Sequence, residues 1–447
     1  MTLDQLKSLF EQAGVKKLYA KPLAENDNSK NQIYFAGAVE TLNVFPSQQI
    51  YAENTSRGPS FKARLNFGWL LETGKTAPAP GAQLILYSQY PEVRFSGFLR
   101  GCKVGPNQLM VDRERAKAGP PELIRQLAGR ILFLGVTADR RVLGYVAAGN
   151  SQVALEFNAQ SFPSAFVVFR EVPLPNVPKE EDSRSKLLAE LRRINRLGWI
   201  DSKQLDSGGR MKPCNAPQCG GFTLEAELGV PKNSDAEPDF LGWEVKQHAV
   251  ASFERVGAGT ITLMTPEPTG GFYKECGAEA FVRRFGYVDK LGRPDRLNFG
   301  GIHKAGQRHQ TTGLTLKLQG YNVERGVITD AKGALALVSD AGEVAAAWAF
   351  GGLFTHWARK HARAVYVPSQ CRKEPRRQYA YGDHVRLAVG TDALRLLRAM
   401  AVGAVYYDPG IKLEHASGTA ALKRRSQFRV ASKNIGALYE KVELVEV

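Results

Sequence analysis

The sequence predicts a mostly β first domain followed by a domain in which a mixed sheet is flanked by helices. Three observations predict it. Up to about Val172 the chain is a succession of short β-branched and aromatic runs bounded by turn residues, the pattern of a barrel or sandwich. Pro173-Leu174-Pro175-Asn176-Val177-Pro178 then sets three prolines in six residues, which resist both helix and central strand. Beyond it, strand-like runs alternate with segments of helical periodicity. At 447 residues the chain can hold two or more domains and bury a large core. The predicted division is a β-rich domain at 1–175, a linker at 176–184 and a mixed α/β domain at 185–447.

Taken in order, Leu3–Gln12 reads as a short helix and Pro121–Leu127 as another. Strands are predicted at Gln83–Tyr87, Arg130–Thr137, Val142–Val146, Val153–Phe157 and Ala165–Phe169, with Ala138–Arg141 as a hairpin loop. After the linker, Leu187, Leu191, Ile194 and Leu197 recur at helical spacing; Asp182 or Ser183 can cap the start, and Gly198 follows the end. Further strands are predicted at Trp243–Gln247, Thr260–Met264, Leu314–Leu318, Val327–Asp330, Ala334–Val338 and Ala364–Val367, with Asp330–Gly333 as a hairpin turn. Helices are predicted at Ala278–Phe285, Glu343–Ala362 and Asp392–Met400.

The formal charge of +16 favours a polyanionic partner, nucleic acid first among them. The basic residues are dispersed and form no amphipathic basic helix, which speaks against a membrane surface. The start of the chain lacks a basic and then apolar leader, and the least polar run, Val344 to Phe354, is too short to span a bilayer. Five cysteines, sparse and odd in number, fit reduced thiols and a cytoplasmic location.

One stretch carries chemistry: Pro238-Asp239-Phe240-Leu241-Gly242-Trp243-Glu244-Val245-Lys246. In a strand Glu244 and Lys246 project to the same side, and Gly242 permits a tight turn that returns Asp239 beside them. Two carboxylates can hold Mg²⁺ through oxygen, and an adjacent lysine can orient or deprotonate a water for phosphodiester hydrolysis. The spacing alone is weak, since a chain of this length shows it by chance roughly one time in ten. Other motifs fail. Thr73-Gly74-Lys75-Thr76 imitates a phosphate loop, but Gly68 is one residue out of place and Pro78 and Pro80 follow where a helix must begin. Cys214 and Cys219 resemble half of a zinc site with no second pair, so a loop shaped by Gly and Pro is the stronger reading.

Order supplies what spacing lacks. A helix start carrying Glu225 precedes the Asp239 stretch; then come Ile261-Thr262-Leu263-Met264-Thr265-Pro266-Glu267-Pro268, the segment Tyr407 to Glu414, and Lys423-Arg424-Arg425-Ser426-Gln427-Phe428-Arg429. From Ser185 to Val430 this succession resembles the MvaI/BcnI group of restriction endonucleases, within the PD-(D/E)xK nucleases and close to the mismatch-repair nickase MutH. The resemblance implies Asp239 and Glu244 as metal ligands, Lys246 as the catalytic lysine and Glu225 as a supporting carboxylate. Glu227 reads as a solvated helix residue. Asp408, Lys412, Arg424, Arg425, Gln427 and Arg429 would contact DNA, with Lys423, His415 and His384 as weaker candidates.

In the first domain, Lys21 to Gln32 and Tyr87 to Phe98 are similar to two segments of the B3-like effector domain of EcoRII, a pseudobarrel that grips DNA with two arms. Lys21, Asn26, Asp27, Gln32 and Arg94 would then face DNA. The implied protein is a monomeric, cytoplasmic, Mg²⁺-dependent Type II enzyme. It would cut double-stranded DNA at a short C/G-rich site of the CCNGG kind, CCWGG included. Effector stimulation by a second DNA copy and a cognate methyltransferase in the host are part of the same expectation. A MutH-like nickase and a DNA-binding regulator without activity are the alternatives.

Overall fold

Thr2 starts the first helix, Leu3–Gln12, through a reciprocal cap in which its hydroxyl accepts the Gln5 amide and the Gln5 side chain accepts the Thr2 amide. Leu3, Leu6 and Phe10 are fully buried on its inner face. The computed structural model describes all residues except 25–31, 37–43, 57, 88–91, 112–116, 167, 177–182, 232–237, 256–258 and 294. The chain forms two units, Met1–Glu53 with Ser60–Glu180 and Asn54–Pro59 with Glu181–Val447.

The first unit is strand-rich. A seven-stranded sheet runs, edge to edge, through Ser164–Phe166, Phe169–Glu171, Val15–Pro22, Ile131–Thr137, Val142–Ala147, Phe67–Leu70 and Thr76–Pro78. A five-stranded sheet runs through Ile33–Ala36, Glu92–Ser96, Gln83–Tyr87, Gly58–Arg64 and Tyr51–Thr55. Among the described residues the two sheets do not close into one barrel. Phe35, Phe45, Phe67, Trp69, Phe95 and Phe98 fill the interior, and the Trp69 indole N–H donates to the Phe98 carbonyl at 2.9 Å. The Ala138–Arg141 loop does join two antiparallel strands, with Arg140 at φ 65°. Val153–Phe157, expected as a strand, lies in the helix Gln152–Asn158. Ser151 caps that helix, and Val153, Ala154 and Phe157 are buried at helical spacing. The predicted strand at 165–169 is instead two short strands, Ser164–Phe166 and Phe169–Glu171.

The second unit is built on a six-stranded sheet. Strands Ile200–Asp201, Gln378–Tyr381, Arg363–Arg372, His384–Val389 and Lys441–Glu446 follow one path, and Glu244–Ala249 runs parallel to Arg363–Arg372 from Glu244 opposite Ala364. One face carries Val245, Val365, Val367, Val385 and Leu387 against the helices Ser183–Arg196 and Cys219–Glu227. Leu187, Leu191 and Ile194 of the first of these helices are buried there, each side chain worth about 1.5–3 kcal/mol. Leu197 falls beyond the helix end and is exposed, and Gly198 turns the chain at φ 66°. The opposite face meets the helix Phe350–His361 and the segment Ser432–Tyr439: Tyr366 and Tyr439 share a hydroxyl–hydroxyl bond of 2.8 Å, and Arg386 donates to the Ser432 carbonyl at 2.7 Å.

Two expectations fail in this unit. Val344–Ala349, assigned by its alanines to a long helix, is a strand paired with Ala334–Val338; the helix begins only at Phe350. Asp330–Gly333 makes a turn, but its flanking strands pair elsewhere, Val327–Ile328 with Tyr321–Asn322 and Ala334–Val338 with Thr315–Gln319. Among the described residues no helix is long and apolar enough to cross a membrane.

Candidate active site

Phe240 and Trp243 exchange backbone hydrogen bonds of 3.0 and 2.8 Å around Leu241 and Gly242, both left-handed at φ 48° and 82°. Positive φ at both central positions is the mark of a type I′ turn. Glycine adopts it without strain, whereas a leucine there costs about 1–2 kcal/mol. The turn returns Asp239 so that its Oδ2 accepts the Val245 amide at 2.9 Å. One carboxylate is thereby fixed against the start of the strand that carries the other.

Glu244 is fully buried. Its Oε1 accepts from the Lys246 ammonium, and the Lys360 ammonium stands 3.8 Å from the same oxygen. Its Oε2 is buried without a hydrogen-bond partner among the described residues. Burial raises the Glu244 carboxyl above its usual range; Lys246 opposes the shift and the nearby charge of Asp239 adds to it. For Lys246, burial acts to lower the ammonium, but Glu244, Asp239 and Glu225 together outweigh it and the net shift is upward. Lys246 is thus a fixed cation in this geometry, suited to donating hydrogen bonds.

Glu225 lies on the helix Cys219–Glu227, which packs over the same edge, with Gly220 tight against the Gln247 side chain. A Cβ at position 220 would stand 2.9 Å from Gln247, so glycine lets the helix approach. Burial first, and then the charge of Asp239, push the Glu225 carboxyl up to about 7. Glu227 is not the solvated residue expected: it is largely buried, in ion pairs with Lys203 and, at 3.4 Å, Arg193.

The structure therefore brings Asp239, Glu244, Lys246 and Glu225 together, and it adds Lys360, which sequence reasoning missed. Lys360 comes from the helix Phe350–His361, 114 positions beyond Lys246, so no local spacing could announce it. Its neighbour His361 is fully buried between the Leu263 carbonyl at 3.1 Å and the Tyr439 hydroxyl at 3.2 Å, stacked on Trp357. Burial, with the Lys246 charge second, holds His361 well below its usual range as a neutral structural ring.

The basic terminal segment forms a separate cluster. Arg429 donates to Asp408 at 2.6 Å, the Asp408 amide to the Gln427 carbonyl at 2.8 Å, and the Gly410 amide to the Arg425 carbonyl at 2.9 Å. Ser426 and Trp348 both donate to the Pro266 carbonyl, which ties the Thr260–Met264 strand to this segment. Lys412, Lys423, Arg424 and Arg425 are exposed. His384 is paired with Asp383 at 2.8 Å, and His415 turns the chain at φ 56°. In the first unit, the Gln32 amide oxygen accepts from Tyr87 at 3.1 Å and Arg94 at 3.4 Å, and Arg94 pairs with Glu92 at 2.7 Å. Lys21 is half-buried on the strand Val15–Pro22. Asn26 and Asp27 lie outside the described residues.

Cys214 and Cys219 are joined in a disulfide, which replaces both the zinc reading and the expectation that all five thiols are reduced. Cys102, Cys276 and Cys371 are free. No three His, Cys, Asp or Glu residues converge on a metal position among the described residues. The set offered at the candidate site is a pair, Asp239 and Glu244, all oxygen. That is what a hard divalent cation takes when substrate phosphate and water complete its shell, and the orphaned Glu244 Oε2 fits it.

Asp239 on its turn, with Glu244 and Lys246 on a strand of a mixed sheet in a strongly basic chain, form the kind of site a metal-dependent nuclease needs. Residues 188–439 match the model of the MvaI/BcnI restriction endonuclease family, and the chain belongs to that family. It is a site-specific DNA nuclease, of a kind that generally uses divalent metal ions. Among solved structures it is similar to the restriction endonuclease MvaI–cognate DNA substrate complex, at 17% identity over 60% of this chain and 99% of that one, with a TM-score of 0.45. It is also similar to restriction endonuclease MvaI in the absence of DNA, at 16% identity over the same shares, with a TM-score of 0.33. No curated protein matches the chain.

Proposed function

We propose that the protein is a Type II, PD-(D/E)xK restriction endonuclease that hydrolyses both strands of a short C/G-rich duplex site, of the CCNGG or CCWGG kind, to leave 5′-phosphates. The carrying observation is the buried Glu244 carboxylate, which feels the Asp239 charge and has one oxygen held by Lys246 and the other without a partner among the described residues. Asp239 and Glu244 would hold Mg²⁺, which when bound stabilises charge developing at phosphorus. Lys246 stays cationic and is steadied by Glu244, so it orients the attacking water or a phosphate oxygen by donating a hydrogen bond. Glu225, whose carboxyl burial and the Asp239 charge push up to about 7, supports the pair from the side, on the helix Cys219–Glu227. Arg429, oriented by Asp408, with Lys412, Arg424, Arg425 and Gln427, supplies the groups that contact DNA; an arginine fork suits guanine O6 and N7.

The residues before the linker at 176–184 form, on this reading, a B3-like effector domain that binds a second DNA copy. The Gln32–Arg94–Tyr87 cluster and Lys21 support it, together with Asn26 and Asp27 by resemblance. The enzyme would act as a cytoplasmic monomer opposite a cognate methyltransferase. Digestion of a sequenced plasmid with and without Mg²⁺, with the ends mapped, is the test. One recurring double-strand cut with 5′-phosphate ends is expected, and nicks alone would favour the MutH-like alternative. The effector role requires residues 1–178 to prefer the cut sequence over a duplex with one altered base pair, at about 1–3 kcal/mol for each bidentate pairing removed.

A further inference from the structure

Away from the catalytic edge, three segments meet at the far end of the strand Arg363–Arg372. They are the hairpin of Lys203–Leu205 and Met211–Pro213, the loop bridged by Cys214–Cys219, and the turn from Arg372 to Gln378. Hydrogen bonds join them into one surface. The Ser202 amide donates to the Arg377 carbonyl at 3.0 Å, the Ser202 hydroxyl to the Cys214 carbonyl at 2.6 Å, and the Arg377 guanidinium to the Ala216 carbonyl at 2.9 Å.

This surface carries Arg210, Lys212, Arg372, Lys373, Arg376 and Arg377. Three carboxylates oppose them: Asp206, shared by Arg210 and Lys212; Asp201, paired with Arg376 at 2.8 Å; and Glu374. Arg210 and Arg376 are 81% and 69% exposed. A tryptophan stands among them. Trp199 is 38% exposed, with the Arg372 guanidinium 4.6 Å from its ring centre, whereas Trp69, Trp243, Trp348 and Trp357 are all buried. An open indole stacked by arginine suits a surface that another molecule covers. Lys246 lies opposite Tyr366, and Arg372 is six residues further along that strand, about 20 Å at 3.3 Å per residue. A duplex running along that strand from the catalytic edge would cover the distance in about six base pairs.

We propose that this ridge holds the phosphate backbone of duplex DNA flanking the cleavage site, about six base pairs from the scissile bond. The proposal rests on the nuclease reading above. The interaction is electrostatic and independent of sequence, so it adds affinity for long DNA without adding discrimination.

The test uses the full chain and two duplexes bearing the plasmid-mapped site, one with about four flanking base pairs on each side and one with about fifteen, lengths that fall short of and pass the ridge. Wild type is expected to bind the long duplex, without divalent metal, about tenfold or more tighter than the short one. In R210Q/K212Q/R372Q/R376Q that preference disappears, and the slope of log affinity against log salt falls by up to about 3.6, at about 0.9 for each of the four phosphate contacts removed. With metal, the variant cuts the short duplex at the wild-type rate. Tryptophan emission changes on binding the long duplex, and Trp199→Phe removes the change. A variant that keeps the preference and the slope overturns the proposal. So does one that cuts the short duplex equally badly, because the residues then act through the fold. If wild type cuts neither duplex, the nuclease reading fails and the ridge falls with it.

Discussion

Glu225 and Glu227 stand two positions apart on one helix and live in opposite environments. Glu227 is enclosed by Lys203 and Arg193, so its buried charge is answered. Glu225 faces Asp239 and Glu244, and its carboxyl rises to about 7 because burial and like charges make ionisation costly. On the proposed reading, the difference separates a carboxylate kept for stability from one kept for chemistry: at the first every charge is satisfied within the fold, and at the second satisfaction would be withheld until substrate and cation arrive.

The strongest way to break this comparison is to remove a member of each set. Asp239→Ala or Lys246→Ala should lower cleavage by at least about 10³-fold, the scale set by groups that act in the chemical step. For Asp239→Ala, binding of a cognate duplex and the melting temperature should change little, whereas Lys246→Ala also leaves the buried Glu244 without its ion-pair partner and should lower the melting temperature as well. Glu227→Gln should do the reverse, destabilising by about 1–3 kcal/mol through the cations it leaves unanswered, with cleavage by the folded protein nearly unchanged. Clean cutting by Asp239→Ala, with wild-type carry-over excluded, would remove the active-site assignment.

Lys360 sharpens the same boundary. It approaches Glu244 at 3.8 Å from the helix Phe350–His361, as a second cation on the buried carboxylate. Lys360→Ala should cost about tenfold in kcat, about 1.4 kcal/mol, with KM little changed and Lys360→Arg recovering most of it. A loss confined to KM would make Lys360 a DNA-binding residue instead.

How much of this could be read in the sequence follows from distance along the chain. Asp239, Glu244 and Lys246 lie within eight residues, and strand alternation with one glycine suffices to predict that they converge. Glu225 was accessible through the order of motifs. Lys360 was not, since only the sheet brings the helix Phe350–His361 to Glu244. The same limit explains the misread elements. Val344–Ala349 has the composition of a helix, but Ala336 lies opposite Ala347 and Leu335 opposite Trp348, and this packing overrides propensity. Val153–Phe157 has the composition of a strand, but the Ser151 cap and the helical spacing of its buried residues decide otherwise. The fate of Cys214 and Cys219 turned on whether the loop closes on itself, which spacing alone does not say.

Glu225→Gln tests whether the withheld satisfaction carries a cost. The folded carboxyl titrates near 7 and the unfolded one near its ordinary value of 4.5. Between those values the folded protein keeps a proton that the unfolded chain has released, so this group's contribution to stability falls as pH rises through the window. Above about pH 7 the cost reaches at most about 3 kcal/mol in the metal-free protein. Glu225→Gln should therefore be more stable than wild type by urea unfolding at pH 8, with the gain shrinking toward pH 5, and should cut more slowly. An equal gain at both pH values would assign the effect to packing rather than charge.

The smallest effect expected lies in the turn that sets Asp239. Leu241 is 46% exposed and holds φ 48°, so glycine there relieves left-handed strain while giving up the half of the side chain that is buried. Strain relief of about 1–2 kcal/mol is partly offset by the greater freedom glycine gives the unfolded chain, about 0.4–1 kcal/mol. Leu241→Gly should therefore stabilise the protein by up to about 1 kcal/mol, read as a shift in urea midpoint at constant slope. The Phe240–Trp243 hydrogen bonds do not involve the Leu241 side chain, so Asp239 should keep its place and kcat should hold within about twofold, or about 0.4 kcal/mol. A gain in stability with a large loss of kcat would mean that the leucine side chain itself serves the substrate, and the strain would then belong to the chemical set alongside Glu225.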